Sequence, residues 1–418
     1  MSDSSRKASL LTVFLTVVVD LLGFGMVLPL IPVYAKHLTA GFSEAQAAWT
    51  LGGLMTIYSL MQLIFAPLWS RISDRVGRRP ILILSLIGST VFYALFGLAT
   101  AWGSLLGMFL ARFGGGIAGA TIPTAQAYIA DITPPEKRTR GMALIGLAFG
   151  LGFTFGPLLG ALAELGSSAA LNPWPGFLAA MLSATALSLA VFKLSESVRP
   201  ETASSRRSHF DLTSLREAVS IPTIGALLCT LFLCNFGFAS FEATLSLSLD
   251  EFLGIERRYQ IALAFAYVGL IQTLVQGGLV RWMAAFTSET VLSALGTGLC
   301  LVGYVLLAVA ADPHLGGPVA LMLAGSVVIS GLGFIYPSIM ALISRRSDPA
   351  NQGGILGIGN TTTTLARIGG MHLAMQLHYR LGHSMPFLAA AALMTVVVFL
   401  VALATRGGGD WQPSAVQA

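Results

Sequence analysis

Residues 71–80 read Arg-Ile-Ser-Asp-Arg-Val-Gly-Arg-Arg-Pro, a short polar stretch with four arginines and one aspartate. Apolar runs flank this stretch on both sides, at about 48–69 and 81–99. Each run has about 20 residues, which is the length that an α-helix needs to cross the hydrocarbon core of a bilayer. Because basic loops between membrane spans remain on the cytoplasmic side, the stretch predicts a polytopic membrane protein with this loop in the cytoplasm.

The composition of the whole chain agrees with this interpretation. The 418 residues are 55% hydrophobic and only 10% charged, with a mean hydropathy of +0.78. A soluble domain carries about 25% charged residues, so this chain needs lipid as its solvent. The net charge of +5 follows the predicted topology, and we therefore expect no nucleic-acid partner. The three cysteines lie in apolar runs without metal-ligand spacing, and we expect no metal site and no cofactor.

Twelve apolar spans can be placed along the sequence. The first six lie at about 9–35, 46–69, 81–99, 104–130, 141–164 and 175–194. The last six lie at about 221–248, 260–283, 289–311, 317–343, 354–377 and 385–405. The pattern predicts an all-α membrane protein of two six-helix bundles, at 1–194 and 221–405, joined by a cytoplasmic linker at 195–220. A cytoplasmic tail follows at 406–418.

The distribution of basic residues orients these spans. Of the 24 lysines and arginines, 18 fall on the side of the termini and of the loops that follow even-numbered spans. Four fall on the other side, and two fall within spans: Lys36, Arg257, Arg258 and Arg380, then Arg112 and Arg367. This bias predicts that both termini are cytoplasmic. The loops on the outer side are short, which leaves no room there for an extracellular domain.

A charge at bilayer depth costs several kcal/mol unless it is paired or hydrated, so charged residues within spans are candidates for function. Asp20 lies about eleven residues into the first span, and Arg112 lies about eight residues into the fourth. These depths are compatible with contact near the middle of the membrane. We hypothesise that Asp20 carries a coupling proton and that Arg112 tunes its protonation. The alternative is a structural ion pair that holds two helices together.

Other polar and aromatic side chains within spans are candidates for lining a solute cavity. The set comprises Phe24, Tyr58, Gln62, Asn235, Phe238, Glu242, Gln272, Gln276, Tyr336, Asn360 and Arg367. Glu242 and Arg367 are the charges of the second half, and they either line the cavity or satisfy each other. Each aromatic residue alone has helix packing as its alternative role.

Twelve spans together with the basic loop resemble the major facilitator superfamily. In that family the loop carries the pattern Gly-x-x-x-Asp-Arg-x-Gly-Arg-Arg, and here serine stands in the first position. The matching residues are Asp74, Arg75, Gly77, Arg78 and Arg79. The resemblance implies that they form a cytoplasmic gate that latches the two halves. The alternative is a topology signal combined with charge capping of a helix end.

Three further stretches are similar to twelve-span drug:proton antiporters within that superfamily. Residues 20–32 of the first span are one, and Arg112-x-x-x-Gly116-x-x-Gly119 in the fourth span is another. The third resembles the antiporter motif of the fifth span, through Gly152, Gly156, Pro157 and Gly160. These glycines recur at i, i+4 and i+8 and therefore share one helix face, which predicts close packing against another helix.

Residues 58–79 resemble the tetracycline exporters in particular. Those exporters carry an acidic residue in the third span, where this chain has Phe92. The resemblance therefore implies proton-coupled efflux of an organic solute or drug by alternating access, and the departure at Phe92 indicates a solute other than metal-chelated tetracycline. It also implies a bacterial inner-membrane protein that works as a monomer, with a small organic solute, protons and the bilayer as partners.

Two other functions remain open from the sequence. The first is proton-coupled import of a metabolite, sugar or siderophore, because the same fold serves both directions. The second is a membrane receptor or scaffold that binds a ligand without transporting it. An enzyme is not expected, because the sequence contains neither a Gly-x-x-x-x-Gly-Lys-Ser/Thr loop nor a catalytic metal spacing.

Overall fold

A computed structural model of the protein describes residues 3–133, 138–167, 169–197, 222–254, 257–346 and 352–406. Within these ranges the secondary structure is helical and contains no strand. The predicted all-α fold is thus confirmed. Most of the predicted linker and nearly all of the predicted tail lie outside the described residues.

The chain divides into two compact units, and the first consists of the described parts of residues 1–207 and 245–270. Its helices up to residue 197 are α1 (Asp3–Val27), α2 (Ile31–Leu38), α3 (Glu44–Val76), α4 (Arg78–Ala101), α5 (Leu105–Ala118), α6 (Ile122–Ile132), α7 (Arg138–Glu164) and α8 (Trp174–Lys193). Helix α1 packs mainly against α7 and α8, while α4 packs against α5 and α8, and α3 against α5.

The second unit consists of the described parts of residues 208–244 and 271–418. Helices α9 (Pro222–Leu253) and α10 (Arg258–Leu274) each cross from one unit to the other. A π-helical turn (Val275–Leu279) and α11 (Val280–Met283) continue α10, and α12 (Glu289–Ala310), α13 (Pro318–Arg346), α14 (Gln352–Leu381) and α15 (Met385–Arg406) complete the unit. Helix α12 packs against α13 and α15. The predicted halves at 1–194 and 221–405 remain a prediction.

Local sequence signals account for several helix boundaries. Ser43 caps α3 with a capping box, in which its hydroxyl accepts from the N–H of Gln46 at 3.3 Å and the Gln46 side chain accepts from the N–H of Ser43 at 3.1 Å. Ser104 caps α5 by accepting from the N–H of Gly107 at 3.1 Å. Gly77 joins α3 to α4 with a φ of 107°, a backbone conformation that favours glycine.

Eleven stretches of the described residues are long and apolar enough to cross a membrane, and the paired helices α1–α2, α5–α6 and α10–α11 each count as one. The remaining predicted span, at 354–377, falls within α14. That helix is 30 residues long, but the run Thr361–Thr364, Arg367 and His372 makes it more polar than the others. Length therefore supports this span where composition alone does not.

The glycine face of α7 lies against α1. A methyl group added at Gly156 would stand 2.7 Å from the carbonyl oxygen of Leu22 and 3.0 Å from the Cα of Gly25. One added at Gly160 would stand 2.9 Å from the carbonyl oxygen of Met26. Only hydrogen fits at these positions, so the two backbones approach as closely as small-residue seams in membranes allow.

Candidate solute and proton site

Arg112 lies on α5 against two aromatic rings. Its guanidinium carbon is 4.3 Å from the centroid of the Tyr58 ring on α3 and 5.9 Å from that of Phe24 on α1. The two rings are themselves 5.1 Å apart. Arg112 is buried, with 5% of its surface exposed. A desolvated guanidinium over aromatic faces gains cation–π stabilisation, which fixes the position of this charge among three helices.

Glycines on α5 make room for Tyr58. A methyl group at Gly116 would lie 2.5 Å from the carbonyl oxygen of Tyr58, and one at Gly119 would overlap its hydroxyl. The side-chain amide of Gln62 donates to the carbonyl of Gly119 at 3.1 Å along the same seam. The spacing of the glycines after Arg112 therefore positions the aromatic ring beneath its guanidinium.

Asp20, half-buried on α1, accepts a hydrogen bond from the hydroxyl of Ser89 on α4 at 2.7 Å. Tyr93 lies one turn further along α4, on the same helix face as Ser89. Its ring packs on α1, where a methyl group at Gly23 would lie 2.9 Å from the Tyr93 ring. Asp20 thus contacts Ser89, and Arg112 contacts Tyr58 and Phe24. A direct contact between Asp20 and Arg112 stays a prediction.

These residues surround one small cavity, which has room for about one water molecule. Its lining consists of Val27, Tyr58, Ser89, Phe92, Tyr93, Phe96, Ala111, Arg112 and Gly115. The hydrogen-bond partner of Asp20 and the side chain of Arg112 therefore face the same space. Phe92 contributes an aromatic ring to the wall, and its ring fills the gap beside Gly114.

Ser89 and Tyr93 were not among the residues predicted for the site. Ser85, Ser89 and Tyr93 recur every four residues, which places them on one face of α4. Ser85 donates to the carbonyl of Ala118 at 2.7 Å on α5. This polar stripe on an apolar span was the signal that would have identified them.

In the second unit, Glu242 on α9 and Arg367 on α14 form a salt bridge of 2.9 Å. The side chain of Glu242 is 4% exposed and that of Arg367 is 24% exposed. The sequence left two alternatives for these residues, lining a cavity or pairing with each other, and the structure shows that they pair. The rings of Phe238 and Phe241 are tilted against each other with centroids 6.4 Å apart, and the Asn235 amide donates to the carbonyl of Leu231 on its own helix at 2.9 Å.

The other residues predicted for the cavity lie elsewhere in the second unit. Gln272 on α10 is half-buried, Gln276 in the π-helical turn is exposed, and Tyr336 on α13 and Asn360 on α14 are also exposed. Their part in a solute cavity stays a prediction.

The loop between α3 and α4 is held by charges. Arg78 is buried and pairs with Asp74 at 2.6 Å and with Asp131 at 3.3 Å. It also donates to the hydroxyl of Ser73 at 2.5 Å. Arg75 is exposed. Asp131, at the end of α6, extends the ion-pair network from the loop to a third helix.

Glu196 binds the first turn of α4. Its carboxylate accepts from the backbone N–H of Arg78 at 2.9 Å and from that of Arg79 at 3.2 Å. An anion at a helix N-terminus satisfies free N–H groups and complements the helix dipole. Neither Glu196 nor Asp131 was predicted for this loop, because each lies more than 50 residues away in sequence, and only the fold brings them together.

Comparison with known proteins places these features in a family. The family description "Major Facilitator Superfamily" matches residues 13–371. The chain belongs to the major facilitator superfamily, a family of membrane transporters. The resemblance drawn from the basic loop and the span motifs is therefore confirmed, and the protein is a multi-pass membrane protein.

Among curated relatives, the class E tetracycline resistance protein of Escherichia coli is 32% identical over 354 residues, covering 84% of this chain and 82% of the relative. The class C protein of Escherichia coli is 30% identical over 404 residues, covering 96% and 97%. These two relatives extend the similarity beyond the first half, where the sequence motifs are concentrated.

Two solved structures show the same fold. A human organic anion transporter is 24% identical with a TM-score of 0.64, covering 96% of this chain and all of the other. A bacterial homologue of the human lysosomal transporter Spinster, in an inward-facing and occupied conformation, is 14% identical with a TM-score of 0.76, covering 99% of this chain and 100% of the other.

Proposed function

We propose that this chain exports a small organic solute in exchange for protons, by alternating access. The observation that carries the proposal is the cavity shared by Arg112 and Ser89, with Asp20 hydrogen-bonded to Ser89 at 2.7 Å. The cavity has room for about one water molecule, and a carboxyl group beside it can hold either a proton or, once the site opens, a counter-charge for a solute. Competition between these two states couples proton entry to solute exit when the site faces each side in turn.

The similarity to tetracycline resistance proteins supports the outward direction of transport. Phe92 lines the cavity where the resemblance to those exporters would place an acid, so we expect an organic solute other than metal-chelated tetracycline. The bias of basic residues supports a location in the bacterial cytoplasmic membrane with both termini in the cytoplasm. We expect the transporter to work as a monomer.

The test is transport by purified protein in proteoliposomes that contain a lumenal pH dye, under an imposed proton gradient. Lipophilic cations, organic anions and tetracycline are screened as solutes. We expect proton flux that depends on solute, and its loss to the level of empty liposomes in Asp20→Asn. Asparagine keeps the shape and the acceptor for Ser89, but its amide does not ionise and so cannot take up and release a proton during transport.

Asp312→Asn serves as the matched control, because Asp312 lies in the turn after α12 and accepts from the N–H of His314 at 2.8 Å. This variant should transport as the parent does. Full coupled transport by Asp20→Asn would disprove the role of Asp20. Proton and solute moving in the same direction would support symport instead, the activity named for a similar D-xylose–proton symporter.

A further inference from the structure

The hairpin of residues 245–270, formed by the end of α9 and most of α10, belongs to the first unit. Its contacts with the first helices are close. A methyl group at Gly269 on α10 would lie 2.7 Å from the carbonyl carbon of Phe153 on α7. The hairpin is thus docked on the bundle of α1–α8, although both of its helices continue in the second unit.

A buried polar cluster lies under the tip of this hairpin. The hydroxyl of Tyr34 on α2 donates to the carboxylate of Glu164 at the end of α7, and it also lies 3.0 Å from the carbonyl oxygen of Asn172. The Asn172 amide donates in turn to the carbonyl of Ala163 at 2.9 Å. Tyr34 is fully buried, and Glu164 and Asn172 are each 3% exposed.

Arg258, the first residue of α10, connects the hairpin to this cluster. Its guanidinium donates to the carbonyl of Ala170 and lies 5.8 Å from the centroid of the Tyr34 ring. Tyr34 thus contacts Arg258 through its ring and Glu164 through its hydroxyl. Arg258 is 4% exposed, whereas its neighbour Arg257 is exposed.

A second contact ties the hairpin to α2. Lys36 pairs with Asp250 on α9 at 3.0 Å, and the lysine side chain is 44% exposed. Exposed pairs of this kind contribute little by themselves. The buried cluster therefore contributes most of the polar attraction between the hairpin and the bundle of α1–α8. Burial of an acid and an arginine costs free energy of desolvation, which is recovered only while the two groups keep their buried partners.

We infer that Tyr34, Glu164 and Arg258 form a latch that keeps this hairpin docked and must open once in every transport cycle. The inference rests on the proposed alternating-access function, which requires the predicted outer face to open. When the hairpin moves away from the bundle of α1–α8, water can solvate Glu164 and Arg258. The contacts of the latch are therefore strong while the site is dry and become weak once water enters. It is separate from the site of Asp20 and from the loop of Arg78.

The test is double electron–electron resonance between spin labels at Trp102→Cys, just after α4, and at Leu263→Cys, on α10 of the hairpin. These side chains are 72% and 40% exposed, and the native cysteines are replaced by alanine in the background. We expect Tyr34→Phe, Glu164→Gln and Arg258→Ala each to raise the ratio of long to short distances about tenfold. That is the shift expected for the loss of a hydrogen bond to a buried charge.

Arg257→Ala is the matched control, since it removes the same charge from the adjacent exposed position and should leave the distances unchanged. Arg258→Lys should give an intermediate shift. Parent-like distances in the folded latch variants, or an equal shift in Arg257→Ala, would overturn the inference. If Glu164→Gln and Arg258→Ala fail to fold, the distances measured for Tyr34→Phe test the inference. The measurement needs no solute, so its result is independent of whether transport is coupled to protons.

Discussion

Tyr58 serves two structural purposes at once. Its ring lies 4.3 Å from the guanidinium of Arg112, while its main chain occupies the gap left by the missing side chain of Gly116. The position of the ring and the packing of the two helices are therefore coupled. A change at the glycine should disturb the charged site even though glycine has no side chain to contribute.

We predict that Gly116→Ala destabilises the protein by about 1–3 kcal/mol, the usual cost of overpacking. The added methyl would lie 2.5 Å from the carbonyl oxygen of Tyr58 and 2.8 Å from the Cβ of Met61. Thermal unfolding in detergent measures the effect. Gly146→Ala on α7 is the control, since nothing lies within 4 Å of its added methyl. Equal midpoints for the two variants would contradict the prediction.

Charged residues within spans are easier to select from a sequence than neutral ones. Asp20 and Arg112 were selected because an ionised group within an apolar span is conspicuous, and their role stays a prediction. Ser89 was missed, because a single hydroxyl on a membrane helix often bonds to its own backbone. Its signal, the four-residue spacing of Ser85, Ser89 and Tyr93, is visible only when the three are compared. Arg258 was read only as a topology charge, because sequence alone does not tell a buried arginine from the exposed Arg257 beside it.

At the scale of elements, the N-terminus of α4 binds the carboxylate of Glu196, which follows the end of α8. Glu196 accepts from two N–H groups of the first turn of α4. We predict that Glu196→Gln costs about 1 kcal/mol of local stability, because a neutral amide complements the helix dipole less well. Hydrogen exchange of peptides covering residues 78–84 should become faster. Glu251→Gln, at an exposed acid on α9, should leave that exchange rate unchanged, and the prediction fails if both variants behave alike.

The salt bridge between Glu242 and Arg367 joins α9 to α14. We predict that Arg367→Met costs about 3–5 kcal/mol, since it removes the ion-pair partner of a buried carboxylate. The double variant with Glu242→Leu should recover most of that loss, because an apolar pair needs no desolvated charges. Unfolding free energies of the two single variants and the double variant test this. Additive losses would show that the two residues act independently.

For the whole molecule, the length of the apolar runs and the basic loop were enough to predict the helical membrane fold. The breaks at residues 28–30 and 119–121 were not predicted, because short interruptions inside a span leave its overall hydropathy unchanged. The docking of residues 245–270 on the first unit was also missed. It depends on contacts between residues far apart in sequence, such as Lys36 with Asp250.

The predicted orientation has a direct test. Leu315→Cys, in the loop after α12, should react with a membrane-impermeant maleimide in intact cells. Val76→Cys, 59% exposed at the end of α3, should react only after permeabilisation. Both are made in the background without native cysteines. The opposite pattern of labelling would place the basic loop outside and reject the assigned topology.

The seam between α1 and α7 has a consequence for how this sequence can diverge. A methyl group at Gly25 would stand 2.6 Å from the carbonyl oxygen of Gly152 on α7, and those at Gly156 and Gly160 would meet main-chain oxygens of α1. A clash with a side chain can be relieved by a smaller residue opposite, but a main-chain oxygen is present whatever residue carries it. Compensating substitution across the seam is therefore unavailable at Gly156 and Gly160, and a lineage that loses either glycine can recover it only by reversion.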